Sequence, residues 1–339
     1  MKLLIITPLL PPEPGGPSYY AVGLREALER QGVEVDTLAF REVRHYPSVV
    51  RHLMLFWRAL ARVRAVDAVI ILDTVSVATP AVLAARVRGV PSIIRTGGDF
   101  VWERYVERTG EKVLLSSFYQ QPRRLSLKER LLIRIQKHLI LPRTTRIIYS
   151  TPWQRDLWRA PYAVPDAKTG VIENCVTPSA RRAAGGDAFL CVWRDTTFKN
   201  VDTLERAVRL LRKEHPEAAL QKLTNVPREE VEAQLAHCRA LVVPSLSEIS
   251  PNLALEALSM GTPVILTRDC GMYERLEGYV DWIDPLDPAQ IAGVLAEYLD
   301  SGTLNEKRAR AAAFAYTHTY DDIADEFLTH VHELVSSTP

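Results

Sequence analysis

The chain has 339 residues, 47% of them apolar and 24% charged, with a formal net charge of +1. This is the balance of a globular protein with room for two domains of ordinary size, and no internal repeat or low-complexity segment interrupts it. No run approaches the roughly 18 apolar residues that a membrane-spanning helix needs.

The near-zero total hides a division. Residues 1–165 carry 25 Lys/Arg against 14 Asp/Glu, and residues 166–339 carry 17 against 27. A basic first half suggests an anionic partner. The four cysteines, Cys175, Cys191, Cys238 and Cys270, form no C-x-x-C pair, so they read as small buried residues in a reducing compartment. The opening MKLLIIT reads as a first strand rather than a signal peptide, because no small-residue cleavage site follows it. The expected location is the cytoplasm.

Leu3–Thr7 has the pattern of a buried strand, followed by a proline-rich loop with Gly15-Gly16 and a helix over Tyr19–Gln31. A strand, a glycine loop and a helix allow close backbone approach to a phosphate or sugar. It is not the G-x-G-x-x-G dinucleotide fingerprint, which argues against a nicotinamide oxidoreductase. Val33–Phe40, Ala68–Leu72 and Ser92–Arg95 are further strands, with a helix over Pro80–Arg88 and a basic, aromatic, amphipathic stretch at residues 44–66. This β-α-β alternation predicts a doubly wound α/β sheet. Asp99 follows the Ser92 strand and is either a ligand contact or the cap of a helix starting near Phe100.

Residues 122–146 hold nine Lys/Arg/His and one Glu, with Leu127, Leu131, Leu132, Ile135 and Leu139 on one helical face. Such a helix is either an ordinary domain helix with a solvated back or a contact with a membrane surface, at the inner face of the plasma membrane. A strand at Arg146–Ser150 and a helix near Trp153–Arg159 lead to a proline-marked linker, and the domain boundary is placed near Val164. Phe189–Trp193 is the next strand, and Arg194 and Lys199 follow it.

The most informative stretch is 241–268, LVVPSLSEISPNLALEALSMGTPVILTR. Two apolar strands, Leu241–Pro244 and Pro263–Thr267, flank a helix over Asn252–Met260. Ser250 is its expected N-cap, Pro251 its first residue and Gly261 its stop. The loop should open at the carboxyl edge of a parallel sheet, where ligands bind and helix amides suit phosphate. Glu248 in that loop and Glu256 one turn into the helix can meet two parts of one ligand. Glu256 is flanked by Leu253, Leu255, Ala257 and Leu258, so its carboxylate wants a partner.

The pattern P-S-x-x-E-x7-E-A-x-x-x-G-x-P-V-I, carried by Pro244, Ser245, Glu248, Glu256, Ala257, Gly261, Pro263, Val264 and Ile265, resembles the signature of retaining nucleotide-sugar glycosyltransferases of the GT-B fold. That family includes sucrose-phosphate synthase-like and bacterial envelope enzymes. The resemblance is strongest over 170–270 and looser before 100. It implies two Rossmann-like domains facing a central cleft: an acceptor-side domain at 1–164, a donor-binding domain at 165–319, and a last helix within 320–339 crossing back to the first domain.

The resemblance also implies roles. Glu248 approaches the donor sugar, Glu256 holds the ribose hydroxyls, and Arg194 with Lys199 supply two cations to the diphosphate. Gly15 and Gly16 lie under the diphosphate, Asn174 of VIENCV fixes the turn into the second domain, and Asp99, in a G-D-x-x-W-E variant with Trp102 and Glu103, contacts sugar or acceptor. Three departures stand out. Ile249-Ser250-Pro251 replaces a glycine-rich tripeptide, leaving phosphate contact to Asn252 and Leu253, since Pro251 has no N–H, with Ser250 beside them as a further donor-binding residue. Gly97-Gly98-Asp99 replaces a histidine region. The segment HPEAALQKLTNVPREEVEAQLAHCRALVVPS is short by one β-α unit, which remodels the base side and leaves Val226 and Arg228 within reach of it.

The function implied is metal-independent, retaining transfer of a sugar from a UDP- or GDP-type donor to the hydroxyl of a glycan or lipid-linked glycan, with no cofactor and no nucleic-acid partner. Its role would be in envelope polysaccharide or glycolipid synthesis. The alternative is a non-catalytic module of the same fold that binds a nucleotide or a protein.

Overall fold

The computed structural model describes residues 1–13 and 15–336. Position 14 of the proline-rich loop and positions 337–339 of the expected C-terminal segment lie outside the described residues. Two parallel sheets account for the strands. The first contains β1 (Lys2–Thr7), β2 (Glu34–Ala39), β3 (Ala68–Ile71), β4 (Ser92–Thr96), β5 (Arg146–Tyr149) and β6 (Thr169–Val171), in the order β2-β1-β3-β4-β5-β6. The second contains β7 (Ala188–Val192), β8 (Ala219–Leu223), β9 (Ala240–Val243), β10 (Val264–Thr267) and β11 (Asp281–Ile283), in the order β11-β10-β9-β7-β8.

The strands read as apolar runs because both faces of each sheet are covered. Along β1 the side chains alternate. Leu3 and Ile5 pack under the helices Gly16–Arg30 and Tyr320–Ser336, while Leu4 and Ile6 pack under Ser48–Val63 and Ala78–Arg88. In the second sheet Leu190, Leu241 and Leu266 face the Asn252–Met260 helix. Phe189, Cys191, Val242 and Ile265 face Val201–Leu211 and Pro288–Glu297. Cys191, Cys238 and Cys270 are free and buried, and burial pushes each thiol up to about 12. They are packing residues.

The chain divides into two compact units. One holds Met1–Val101, Arg124–Cys175 and the stretch from His318; the other holds Trp102–Arg123 and Val176–Thr317. Residues 102–123 therefore group with the second unit although they lie early in the sequence. Within the first unit the C-terminal helix packs on the Gly16–Arg30 helix, where the Tyr20 and Tyr320 rings meet edge to face at 6.0 Å.

Several local expectations are corrected. The first helix begins at Gly16 rather than Tyr19, because Gly15 adopts φ 132° as its N-cap. Residues 122–146 do not form one helix. An α-helix over Leu127–Ile135 passes through a π turn at Gln136–Ile140 into a short turn at Leu141–Arg143. Of the residues placed on one helical face, Leu127 is 84% and Leu131 55% exposed. The Asn252–Met260 helix has Pro251 at the N-cap position, with no side-chain cap from Ser250. The Ser250 hydroxyl lies instead 3.4 Å from Asn252 Oδ1 and 3.6 Å from Met272 Sδ.

At Gly23 the Gly16–Arg30 helix lies against the Tyr320 ring of the C-terminal helix. A Cβ there would lie 2.4 Å from the Tyr320 ring. Gly23→Val is expected to cost about 2 kcal/mol in urea unfolding, the scale of overpacking a tight contact, and to speed hydrogen exchange in the 320–336 helix.

Candidate functional site

In the second sheet β7 pairs with β8 on one side and β9 on the other, so the order of connection reverses between β7 and β9. The carboxyl ends of those two strands flank a switch point, the place where open α/β sheets bind ligands. Arg194 and Lys199 follow β7. Ser245 and Glu248 follow β9. The sheet order, not the sequence spacing, makes these loops neighbours.

The Lys199 ammonium lies 2.6 Å from Glu248 Oε1, and the Ser245 hydroxyl donates to the same oxygen at 2.6 Å. The Glu248 backbone is pinned as well: its N–H donates to the Asp269 carbonyl, and its carbonyl accepts from the Gly271 N–H, both at 2.9 Å. The Glu248 side chain is 13% exposed and Lys199 21%, so the pair is sheltered yet open to a ligand. Arg194 stands apart. It is exposed, and among the described residues its guanidinium makes no hydrogen bond or ion pair.

At the start of the Asn252–Met260 helix the Asn252 N–H is used by the Ser250 carbonyl at 3.0 Å, and Leu255 N–H by the Pro251 carbonyl at 3.1 Å. Leu253 N–H has no backbone acceptor among the described residues. Of the two amides expected to face a phosphate, Leu253 is the one left to donate. Asn252 is exposed and Ser250 half-buried.

Glu256 has the partner its apolar flanks called for. Arg228 reaches its Oε1 at 3.0 Å and Glu232 Oε1 at 3.1 Å. Burial pushes the Glu256 carboxyl above its ordinary value, Arg228 pulls it down, and Glu232 pushes it up again. Arg228, Glu232, Glu256, Ser259 and residues 177–180 line part of a cavity of about 210 Å³. The short segment before β9 holds β8 and the Arg228–Ala236 helix that carries this arginine.

In the first unit, Gly15 and Gly16 follow β1, beside the equivalent switch between β1 and β3. Gly15 needs its positive φ, whereas a Cβ on Gly16 would meet nothing within 4 Å, so backbone there faces open space. Asp99 is 1% exposed and accepts from the Trp158 indole N–H at 3.0 Å, which fixes its carboxylate inside the unit. Trp102, part of the same sequence pattern, lies in the second unit, its indole donating to the Val113 carbonyl at 2.8 Å. Asn174 accepts from the Arg95 guanidinium through its side chain and contacts His318 through its carbonyl. It thereby links the Arg95 and His318 side chains within the first unit.

Two residues escaped the sequence reading. Asn200, 1% exposed at φ 56°, donates from Nδ2 to the carbonyls of Pro244 at 2.9 Å and Pro285 at 2.7 Å. Asp73, at the end of β3, accepts from the N–H groups of Val75, Ser76 and Val77. Asn before a helix and D-T-V-S after a strand were the available signals, both common turn chemistry.

Among the described residues no group of three or more His, Cys, Asp or Glu is placed to hold a metal ion, and no helix is long and apolar enough to cross a membrane.

Residues 200–318 match the family described as glycosyl transferases group 1. No curated protein matches the chain. Among solved structures, the chain is similar to a sucrose-phosphate synthase from Thermosynechococcus elongatus, at TM-score 0.67 and 14% identity over 99% of both chains. It is also similar to Anabaena Alr3699/HepE in complex with UDP, at TM-score 0.65 and 12% identity over 100% of this chain and 99% of that one. A glycosyltransferase from Rickettsia africae gives TM-score 0.66 at 12% identity over 99% of both. The fold is that of these neighbours, GT-B.

Arg228→Ala removes the cation that favours the ionised Glu256. Its destabilisation should therefore be present where Glu256 is charged and fade as pH falls through the raised Glu256 pKa. Urea unfolding is expected to show a loss of about 0.5–1 kcal/mol at neutral pH, the size of a partly exposed pair, and less in acid.

Proposed function

We propose that the protein is a glycosyltransferase that moves a sugar from a nucleoside diphosphate donor to a hydroxyl acceptor. The observation that carries this reading is the Lys199–Glu248 pair at the β7/β9 switch point, with the Arg194 guanidinium and the Leu253 N–H left to donate. Two cations and a helix amide suit a diphosphate. A carboxylate held by Ser245 and Lys199 suits the hydroxyls of the attached sugar. The match of residues 200–318 to group 1 glycosyl transferases supports the same reading.

Glu256 and the cavity beside it would take the ribose, with Arg228 turning its carboxylate toward the opening. The neighbour solved with UDP makes uridine the first base to test, with guanosine second. Gly15 and Gly16 keep their expected place by the diphosphate, Ser250 its place by the donor and Asn174 its turn-fixing role as part of the proposal, whereas Asn252, its N–H spent on the Ser250 carbonyl, leaves the phosphate to Leu253. The buried Asp99 acts there by orienting Trp158.

The proposed reaction proceeds with retention. The bond between the anomeric carbon and the diphosphate oxygen breaks as the acceptor oxygen bonds to the same face of that carbon. The acceptor proton passes to the departing phosphate oxygen, and nucleoside diphosphate is released. Arg194 and Lys199 stabilise the charge that grows on the leaving group, the contribution that a metal ion makes in other enzymes. The proposed setting is the cytoplasmic synthesis of an envelope glycan or glycolipid.

Lys199→Ala is expected to lower turnover of the preferred nucleotide sugar by about 10²–10³-fold, the usual effect of removing one such stabilising donor, with the fold intact by circular dichroism. Arg194→Ala should do the same. Wild-type turnover in both variants would contradict the reading, and failure of the native protein to hydrolyse or transfer from any natural donor would favour a binding module.

A further inference from the structure

Three helical segments of the first unit pack side by side over the Leu4/Ile6 face of its sheet: Ser48–Val63, Ala78–Arg88 and the run from Leu127 to Arg143. Together they hold ten Lys/Arg and one acid, Glu129. Glu129 is 0% exposed, spent on the Ser126 backbone as the return half of a capping box. The outward surface of this layer therefore presents no carboxylate from any of its helices.

The same surface is apolar where a solvated helix should be polar. On Ser48–Val63 the positions Val49, Leu53 and Trp57 form an i, i+4, i+8 stripe, 74%, 56% and 61% exposed, opposite the buried Leu55, Ala59 and Val63. Val87 is 65% exposed between Arg86 and Arg88, and Leu127 is 84% exposed beside Lys128. Among the described residues Arg86, Arg88, Lys128, Arg134 and Lys137 have no ion pair, whereas Arg58 and Arg62 are satisfied by Glu42.

We propose that this helical layer docks on an anionic bilayer surface, with the valine, leucine and tryptophan side chains entering the headgroup–acyl boundary and the unpaired cations meeting lipid phosphates. Charge complementarity selects the occupant. A second copy presenting the same layer would bring cation against cation. A nucleic acid would reward aromatic stacking, whereas the exposed side chains here are aliphatic apart from Trp57. The inference stands on the first unit alone and does not depend on the donor site.

The test is co-sedimentation of the full chain with vesicles of phosphatidylcholine alone and with about one-third phosphatidylglycerol. Binding is expected to be at least tenfold stronger to the anionic vesicles and to weaken as salt rises. Leu53→Ser with Trp57→Ser, and separately Lys128→Glu with Arg134→Glu, should each reduce it about tenfold. All four side chains lie on the outer surface, so donor hydrolysis in buffer should be unchanged in both variants. Equal binding to both vesicles, or none to either, would overturn the proposal. So would a dimer lost with Trp57→Ser, which assigns the face to a second copy. Undiminished vesicle binding by the Leu53/Trp57 variant, with equal affinity for single-stranded DNA, would reduce the surface to a generic polyanion site and overturn it too.

Discussion

One buried carboxamide, Asn200, organises the second unit's ligand edge. Its Nδ2 group closes the carbonyls that follow β9 and β11, its Oδ1 accepts from the Thr203 hydroxyl at 2.7 Å, and its own backbone ends the 3-10 turn that presents Lys199. Three loops from three strands are thereby fixed to one side chain. The two carbonyls belong to prolines and would be left unsatisfied without it, a penalty of about 1–3 kcal/mol for each buried group. The left-handed conformation at Asn200 is one that few non-glycine residues accept, and asparagine is among them. Lys199 can stay beside Glu248 because the turn under it cannot relax.

The remaining positioning is layered on that anchor. Leu246 N–H reaches back to the Phe198 carbonyl at 2.8 Å, joining the loop after β9 to the loop after β7. Glu107, from the 102–123 segment, accepts from Thr197 N–H at 2.6 Å, and the Trp102 and Phe198 rings lie 5.6 Å apart. Residues from early in the chain thus buttress the lysine turn inside the second unit. Glu256 lies one turn into the Asn252–Met260 helix, where Arg228 offsets part of the upward push that burial gives its carboxyl.

Much of this was legible in the sequence. Apolar runs of strand length located eight of the strands to within a residue or two, but not the short β6 and β11 or the polar β8, and the Asn252–Met260 helix was read at its observed C-terminal end because Gly261 takes φ 83° where the chain must turn. The Lys199–Glu248 meeting was foreseeable only through resemblance, since nothing in a 49-residue separation says that β7 and β9 are neighbours. What failed was local competition. Ser250 can cap a helix, yet a proline at the N-cap position leaves its hydroxyl near Met272. Periodicity placed Leu127, Leu131, Leu132, Ile135 and Leu139 on one helical face, but the π turn at Gln136–Ile140 breaks the phase before Leu139, and Leu127 and Leu131 are exposed. Spacing cannot show which residues beyond the next strand will share a hydrogen bond. That is why Asn200 and Asp73 were missed.

The central claim is that the β7/β9 edge of the second unit holds a nucleoside diphosphate through side chains, and titration calorimetry without any sugar or acceptor tests it most directly. UDP, GDP, ADP and TDP would be titrated into the native protein and into the Arg194→Ala, Lys199→Ala double variant. The account predicts that one diphosphate binds the native protein and that its heat disappears in the double variant, while the folded content of both stays the same. Binding of no nucleotide, or binding that survives loss of both cations, would contradict it.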